Sequence, residues 1–329
     1  NSQDSILVVE INIDAGSNKN LCLGDTILLQ SIGNSSIYAW DYSPFILDHD
    51  SASTLVFPSN STMFYVTNTD GTCFKSDSIY VFVDSNIPQP SFYTLNNCYG
   101  DSMQFYANSG INASYFSWEW TILEEKLYSQ FDYFEFDSVG TFEVNLNVIN
   151  LENNCDANII QTVEVFPTPD ANFRVDNVCL GEKTQFTNLS SESTASNIWI
   201  FGDGYQSSTE LHPSLVFTSP GTFNSTLVVY SETGCSSSIS KEVIVYDKPK
   251  VFLENYELCE AYKIDFNSLV LLDNGYITNW KWDFGDSSVS SDLESPSHTY
   301  NEWGQYDVEL IVESNHGCFN SEVTKAIVH

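Results

Sequence analysis

Hydrophobic and polar residues alternate in short runs along the whole chain. The runs TFEVNLNVIN (141–150) and QYDVELIVES (305–314) place an apolar side chain at nearly every second position. Such alternation is typical of β-strands with one buried face. Turn residues interrupt the runs about every 8 to 12 positions, and no stretch shows the longer period of an amphipathic helix. This pattern predicts an all-β chain of short strands packed as β-sandwiches.

Eight cysteines divide this pattern into four repeats. They stand in pairs separated by 51, 57, 56 and 59 residues, and the first members of the pairs recur every 76, 81 and 80 residues. Each first member precedes polar turn residues and an alternating strand, as in VCLGEKTQF. Each second member follows a turn and precedes a strand, as in TGCSSSISKEVIVY. A fixed period of this size indicates an array of similar domains.

The linkers DSNIPQPSF, FPTPDANF and YDKPKVF place the domain boundaries, and each contains proline. Proline keeps a short connection extended, so we expect the domains to follow one another end to end in an extended rod. The first ten residues resemble the strand at 75–84, and we interpret them as the last strand of a preceding repeat. The predicted domains are repeat one (11–85), repeat two (86–168), repeat three (169–248) and repeat four (249–329).

Large aromatic residues recur at fixed places in the repeats. A tryptophan follows each first cysteine by 18, 22, 20 or 23 residues and is expected to fill the space between two sheets; these residues are Trp40, Trp120, Trp199 and Trp282. Repeats two to four also place a glycine between two aromatic residues, as in Tyr300, Gly304 and Tyr306. That spacing predicts a tight turn between two core-facing strands.

The fourfold pattern favours disulfides within each repeat. The expected pairs are Cys22–Cys73, Cys98–Cys155, Cys179–Cys235 and Cys259–Cys318. A zinc site is excluded, because no CxxC occurs and the five histidines show no ligand spacing. Closing a loop of about 50 to 60 residues contributes roughly 4 kcal/mol in the chain-entropy model. Because disulfides persist in oxidising compartments, we expect an extracellular protein, secreted or at the cell surface.

Charge narrows the range of partners. Lysine and arginine total 11 against 44 aspartates and glutamates, a net charge of −33. This sign repels nucleic acid and anionic lipid. The acids are spread along the chain, which favours a solvated surface; loose divalent cation binding is the alternative. No apolar run reaches the roughly 18 residues of a membrane span, and the first residues lack the features of a signal peptide, so we expect a piece of a longer protein.

The stretch WKWDFGDSS (280–288) is the best candidate for chemistry. Asp283 and Asp286 form an acid pair around Gly285. Two short carboxylates beside a glycine are typical of Asx-type turns, in which they accept hydrogen bonds from backbone amides. A calcium site is a second interpretation, although the EF-hand spacing is absent. Catalysis by an acid pair is the weakest, because repeat three has Ile200 in place of Asp283.

WKWDFGDSS, followed by SPSHTYNEWGQYDVELIV, resembles the PKD domain, an immunoglobulin-like sandwich. Repeat three is similar through IWIFGDGYQSS and HPSLVFTSPGTFNSTLVV. Repeats one and two lack the FGD core and resemble immunoglobulin-like domains in their register. The resemblance implies a surface or secreted module that spaces or binds other domains and has no chemistry of its own. Serial repeats of this style also resemble the large surface proteins of Bacteroidetes.

Other features weigh against an enzyme. The chain has no GxSxG, HExxH, P-loop or GxGxxG motif, and His298 is expected to lie in a strand. No cofactor is expected, with calcium as the one alternative. Aromatic residues in YFSWEWTI (115–122) and FDYFEFD (131–137) of repeat two exceed what one sandwich needs, so a glycan- or partner-binding surface is expected there.

We therefore expect a non-catalytic spacer within an extracellular adhesin, stalk or filament, whose partners are neighbouring domains of the same long chain. Exposed edge strands would allow self-association into a fibre. The alternative is a glycan- or protein-binding accessory module of a secreted enzyme. The spacer hypothesis depends on disulfides within modules, and cross-links between modules, or free thiols around an ion or a buried acid cluster, would overturn it.

Overall fold

The computed structural model describes residues 10–112, 114–192, 194–204, 206–259 and 263–329. Every regular element in these ranges is a β-strand, which confirms the all-β prediction. Contacts divide the chain into two compact units, Asn1–Phe166 and Pro167–His329. Each unit holds two repeats. The predicted strand of a preceding repeat falls on residues 1–9, outside the described residues, and on residue 10.

Repeat one contains eight strands in two packed layers. One layer has the order β2-β8-β7-β5, and the short pairs β3-β6 and β1-β4 form the other. The strands are β1 (Ile13–Asp14), β2 (Lys19–Cys22), β3 (Ile27–Gln30), β4 (Ile32–Gly33), β5 (Ile37–Trp40), β6 (Ser53–Val56), β7 (Thr62–Thr69) and β8 (Phe74–Asp84).

Repeat two has a three-stranded layer, β13-β10-β9, and a four-stranded layer, β12-β11-β14-β15. Its strands are β9 (Ser91–Leu95), β10 (Met103–Asn108), β11 (Phe116–Ile122), β12 (Glu125–Leu127), β13 (Phe131–Phe134), β14 (Gly140–Asn150) and β15 (Cys155–Val165).

Repeat three has a five-stranded layer, β17-β24-β23-β20-β21, and two short pairs, β16-β19 and β18-β22. Its strands are β16 (Phe173–Arg174), β17 (Val178–Cys179), β18 (Lys183–Gln185), β19 (Thr187–Asn188), β20 (Ser196–Ile200), β21 (Ser207–Ser208), β22 (Ser214–Val216), β23 (Gly221–Tyr230) and β24 (Ser236–Tyr246).

Repeat four has the layer β26-β32-β31-β29 and the pairs β25-β28 and β27-β30. Its strands are β25 (Lys250–Leu253), β26 (Tyr256–Leu258), β27 (Lys263–Asp265), β28 (Ser268–Leu271), β29 (Ile277–Asp283), β30 (Ser297–Thr299), β31 (Gly304–Ser314) and β32 (Phe319–Val328).

A long antiparallel hairpin ends every repeat, and its first strand shows why the alternating runs fold as they do. In β31, Val308, Leu310 and Val312 are fully buried. The intervening positions carry Glu309 and Ile311 on the outer face, so the strand buries one face. The alternating runs at 141–150 and 305–314 lie within β14 and β31, as predicted.

In repeats one, three and four a short strand near the start of the repeat pairs in parallel with the last strand, and in repeat two Cys98 forms an isolated parallel bridge with Phe166. In repeat one, β2 lies along the end of β8, with Cys22 opposite Asp84. In repeat three, Cys179 lies opposite Tyr246. Each first cysteine is therefore held beside the C-terminal end of its own repeat, a placement that decides the disulfide pattern described below.

The tryptophans occupy the centre of four separate hydrophobic cores, one for each repeat. Trp120, Trp199 and Trp282 are fully buried, and Trp40 is 4% exposed. Each indole N–H also donates a hydrogen bond to a backbone carbonyl 9 to 11 residues later, at 2.8 to 3.0 Å. Each tryptophan thus fills the core and also fixes the segment that connects the layers.

Aromatic stacking closes the turn before the final hairpin, as the sequence pattern predicts. The ring centroids of Tyr300 and Tyr306 are 4.1 Å apart. The pairs Phe217–Phe223 and Phe136–Phe142 stack at 4.3 and 4.5 Å.

Replacing Trp282 by phenylalanine should destabilise repeat four by about 1 to 3 kcal/mol, because the Leu293 carbonyl loses its donor and the core gains a void. Hydrogen–deuterium exchange of β29 and β31 measures this change in the full chain. Trp303→Phe is the matched control, since Trp303 is 80% exposed and its loss should cost less than about 0.5 kcal/mol. Equal protection in the two variants would contradict the assigned role of Trp282.

Candidate functional site

The disulfides link one repeat to the next. Cys22 is bonded to Cys155 with a Cα–Cα distance of 5.7 Å, and Cys179 to Cys318 with a distance of 5.6 Å. Cys98 and Cys235 are also disulfide-bonded, whereas Cys73 and Cys259 carry free, exposed thiols. The predicted pairing within repeats is therefore wrong for all four pairs, Cys22–Cys73, Cys98–Cys155, Cys179–Cys235 and Cys259–Cys318.

The length of the last strand explains this correction. Cys73 directly precedes β8, whereas Cys22 lies beside Asp84 at the far end of the same strand. The 11 residues of β8 span roughly 35 Å at about 3.3 Å per residue. A disulfide requires Cα atoms about 4.4 to 6.8 Å apart. The two cysteines of repeat one thus lie at opposite ends of the sandwich and cannot bond to each other.

Repeat four has the same arrangement. Cys318 directly precedes β32, and Cys259 follows β26, whose residue Leu258 pairs with Val328 at the end of β32. The first cysteine of a repeat is thus carried to the end at which the chain leaves, where the following repeat presents its second cysteine.

Other contacts support each linked junction. In the first unit, the side-chain amides of Asn150 and Asn153 donate to the Asn86 carbonyl, at 3.2 and 3.1 Å. In the second unit, the His316 ring stacks on Tyr246 with centroids 3.9 Å apart. These contacts hold the turn that carries the second cysteine against the preceding linker.

A polar groove of about 500 Å³ lies beside the Cys22–Cys155 bond and includes Asp84 and Glu152 in its lining. Two carboxylates are fewer ligands than calcium takes. Across the described ranges, no group of three or more His, Cys, Asp or Glu side chains is placed to hold a metal ion.

The FGD stretch of repeat four forms a tight turn under the core. Phe284 is 3% exposed, and Gly285 has a φ of 75°, which side chains rarely allow. A Cβ on Gly285 would lie 2.3 Å from the Asp307 carbonyl oxygen. The backbone of β31 therefore excludes any side chain at this position. Gly202 in repeat three has a φ of 79°, and a Cβ there would lie 2.5 Å from the Asn224 carbonyl oxygen.

Both acids of the candidate pair accept hydrogen bonds from turn amides. The Asp283 carboxylate accepts from the Gly285 amide and the Asp286 carboxylate from the Ser288 amide, each at 3.0 Å. These are the contacts of Asx-type turns. Asp203 in repeat three accepts in the same way from the Gln206 amide at 3.0 Å.

Asp286 has a further partner that sequence reasoning missed. Its carboxylate lies 2.8 Å from His298 Nε2, and the imidazole stacks on Phe284 with centroids 4.2 Å apart. Burial raises the pKa of Asp286, but hydrogen bonds from Ser288 and His298 outweigh burial and hold this pKa below its ordinary value. As predicted, His298 lies in a strand, β30. Leu215 takes the corresponding place in repeat three and belongs to its core.

Tyr300 also packs against this cluster, with its ring centroid 4.7 Å from that of His298. Its hydroxyl donates to the Phe284 carbonyl at 3.1 Å. Burial, followed by the charges of Asp286 and Tyr306, raises the pKa of Tyr300 well above its ordinary value. The hydroxyl therefore stays protonated and keeps its hydrogen bond across the physiological range.

A ladder of exposed aromatic rings covers the outer face of the three-stranded layer in repeat two. Tyr106 lies between Tyr93 and Phe131 in the strand register, and its ring centroid is 4.8 and 4.5 Å from theirs. Tyr133 follows, 4.7 Å from Phe131. Tyr93 is 60% exposed and Tyr133 50%. We call these four residues the aromatic ladder.

Strand alternation separates this ladder from the core. On β10, Met103, Phe105 and Ala107 point inward, and Gln104 and Tyr106 point outward. Trp120 and Ile122 of the first aromatic-rich stretch are fully buried, so that stretch serves mainly the core. The sequence identified Phe131 and Tyr133 through the second stretch, but Tyr93 and Tyr106 became candidates only through strand pairing.

No helix in the described part of the chain is long and apolar enough to cross a membrane.

Comparison with known proteins agrees with this geometry in the second unit. The PKD-domain family model matches residues 166–245 and 248–328. Collagenase ColA of Clostridium perfringens is 31% identical over 94 residues, which are 28% of this chain and 8% of the collagenase. This chain therefore corresponds to a small part of that relative.

Two solved PKD domains are also similar. The PKD1 domain of the Vibrio cholerae metalloprotease PrtV is 32% identical, covers 24% of this chain and 96% of that domain, and has a TM-score of 0.22. The PKD1 domain of Vibrio anguillarum Epp is 30% identical, with coverages of 24% and 93% and a TM-score of 0.22. The resemblance to Bacteroidetes surface proteins stays a prediction. The chain is a tandem array of immunoglobulin-like sandwiches that carries two PKD domains, in repeats three and four.

Proposed function

We propose that this chain is a non-catalytic, load-bearing spacer of an extracellular adhesin, stalk or filament. The observation that carries the proposal is the disulfide pattern between repeats. Disulfides indicate an oxidising compartment, and repeats three and four are PKD domains, a module that also occurs in the Vibrio cholerae metalloprotease PrtV.

The disulfides shorten the covalent path along the chain. A pull on residue 11 reaches Cys22, crosses to Cys155, follows the chain to Cys179 and crosses to Cys318. Residues 23–154 and 180–317 lie outside this shortest covalent path and carry little of the tension. The path runs only through 11–22, 155–179 and 318–329, so tension bypasses most of the four cores.

This argument replaces the one drawn from the sequence, which needed a disulfide inside every module. Cross-links inside modules would protect each core separately and leave the linkers as single strands. Cross-links between modules instead route tension around the cores. The spacer proposal therefore rests on a different physical basis from the expectation that led to it.

The aromatic ladder supports the alternative of a glycan- or protein-binding accessory module. Exposed cross-strand aromatic pairs stabilise a sheet by only about 0.2 to 1 kcal/mol each. Four in a row also make a flat apolar surface of the type on which sugar rings stack, beside an open groove of about 520 Å³. The similarity to a collagenase adds collagen as a protein to test.

We assign Asp283 and Asp286 a structural role in the turn of repeat four. Their carboxylates already accept backbone amides, and Asp286 is also paired with His298. Asp286 is the better test of this role, since its side chain is only 15% exposed.

Under tension, the oxidised chain should show almost no unfolding extension between residue 11 and its C-terminus. Cys155→Ser should open the loop of 133 residues and lengthen the chain under tension by at most roughly 460 Å at about 3.5 Å per residue, because the disulfide of Cys98 remains within the opened segment. Single-molecule force spectroscopy with terminal handles measures this gain. The matched control is Ser236→Ala, which leaves every cysteine in place and should behave like the unchanged chain. Full-length unfolding steps in the oxidised chain would rule out the bypass.

Asp286→Asn should destabilise repeat four by about 1 kcal/mol at neutral pH, because a charged acceptor becomes neutral. The folded-state pKa of Asp286 is lowered, so its stabilisation is present above the unfolded pKa and is lost as pH falls through the folded pKa. The difference between the variants should therefore begin to shrink near pH 4 and disappear once the pH lies below the folded-state pKa of Asp286. Urea unfolding followed through methyl resonances of Val308 and Leu310 measures it.

Asp265→Asn is the control, since the Asp265 side chain is 80% exposed. Calcium should stabilise repeat four no more than magnesium does. A calcium-specific stabilisation that Asp286→Asn abolishes would turn the acid pair into a metal site.

If the ladder binds glycan, cellohexaose or chitohexaose should bind the full chain, and Tyr93→Ala or Tyr133→Ala should weaken binding roughly fivefold to tenfold, through loss of about 1 to 1.5 kcal/mol of stacking. Isothermal titration calorimetry measures this, with Tyr42→Ala, a ring 90% exposed in repeat one, as the control. A collagen-coated surface tests the protein ligand. Absence of binding to all three probes would remove the ladder as support for the accessory role.

A further inference from the structure

The Cys22–Cys155 and Cys179–Cys318 disulfides obey one directional rule. Cys22–Cys155 and Cys179–Cys318 each join the first cysteine of a repeat to the second cysteine of the next repeat. The first cysteine of a repeat therefore bonds to a repeat on its C-terminal side, and the second cysteine bonds to a repeat on its N-terminal side.

Cys73 and Cys259 carry the two free thiols, and each lacks the bonded cysteine that this rule assigns to its position. Cys73 is a second cysteine, in the position that Cys155 and Cys318 occupy in repeats two and four. Cys259 is a first cysteine, in the position of Cys22 and Cys179. The bonded second cysteines Cys155 and Cys318 are buried, at 1% and 0% exposure, whereas Cys73 is exposed.

The hydrogen bonds at the point where the chain enters repeat one resemble those at the start of repeat two, which is cross-linked to the repeat before it. The Asn34 side chain donates to the Glu10 carbonyl at 2.7 Å and accepts from the Asn12 amide at 2.9 Å. Ser35, the next residue, donates its hydroxyl to the Thr69 carbonyl, close to the turn that carries Cys73. In repeat two, asparagine side chains hold the linker in a comparable way beside Cys155. The chain thus enters repeat one at the end where Cys73 lies.

We infer that Cys73 and Cys259 are complementary ends of the same inter-repeat disulfide. Cys73 bonds the first cysteine of a repeat of this kind docked before repeat one, and Cys259 bonds the second cysteine of such a repeat docked after repeat four. The partner is a protein thiol of the same fold, carried either by a second copy of the chain or by an adjoining part of a longer chain.

The step is an ordinary thiol–disulfide exchange. A thiolate of one end attacks a disulfide oxidant such as oxidised glutathione, and the second thiolate then displaces the glutathione. Two thiols lose two electrons and two protons, and one oxidised glutathione becomes two reduced glutathiones. The pattern of disulfides carries this inference, and it does not depend on whether the chain bears load.

Mixing two single variants tests complementarity directly. Cys73→Ser retains only Cys259, and Cys259→Ser retains only Cys73. In oxidised glutathione each full-chain variant alone should stay monomeric, and the mixture should form a Cys73–Cys259 dimer. Peptide mapping should find this cross-link in roughly tenfold excess over either same-residue link, since docking of complementary ends raises the effective concentration of the thiols.

The outcomes separate the two sources of partner. A mixed dimer identifies a second copy as a competent partner. Dimers of each variant alone, in amounts comparable with the mixture, would show unselective oxidation and overturn the inference. If no dimer forms, the protein secreted by its producing cells is alkylated and digested without reduction. Links from Cys73 and Cys259 to cysteines of adjoining repeats then support the inference, and alkylated free thiols at both positions overturn it.

Discussion

The length of the final strand in each repeat is the constraint on which the architecture depends. A strand of 10 or 11 residues reaches from one end of the sandwich to the other. Its start follows the second cysteine, and its end lies beside the first cysteine through the parallel pairing of a short strand. The two cysteines of one repeat are thus kept about a whole domain apart. For Cys22 and Cys179 the partner is supplied by the following repeat, and these cross-links follow from that placement.

Energetics alone would not have distinguished the two pairings. In the chain-entropy model a loop of about 55 residues contributes roughly 4 kcal/mol and a loop of 133 or 139 residues about 5 kcal/mol, because the dependence on length is logarithmic. The difference of about 1 kcal/mol is small beside either contribution. What differs is the coupling between repeats. A loop that spans two domains makes the unfolded state of one repeat depend on the state of its neighbour.

Sequence reasoning succeeded where the information was local. Alternation located the strands β14 and β31, and the recurring tryptophan identified the centre of every core, since each indole needs only burial and one carbonyl. The predicted disulfide pairing was wrong because a fourfold repeat contains the same cysteines whether the disulfides form within repeats or between them. The length of the last strand could have distinguished the two pairings. The run FKSDSIYVFVD after Cys73 is long enough to keep Cys73 far from the other end of the strand, where Cys22 lies. The Asp286–His298 contact and the Tyr93–Tyr106 pair depend on strand pairing across distant segments, which no spacing in the sequence reveals.

The cross-links also change what the stability of an individual core has to achieve. In a chain of independent sandwiches, every core lies in series, and the weakest one determines the force at which the array lengthens. In the proposed spacer, the segments closed by Cys22–Cys155 and Cys179–Cys318 lie beside the shortest covalent path, so the hydrophobic cores would maintain the shape of the repeats and their surfaces without carrying most of the pull. Small cores of about 80 residues, which bury a limited fraction of their surface, are sufficient for that task. The sequence of each repeat is then free to vary around its tryptophan. This agrees with the FGD turn in repeats three and four, the Asp286–His298 contact in repeat four and the aromatic ladder in repeat two.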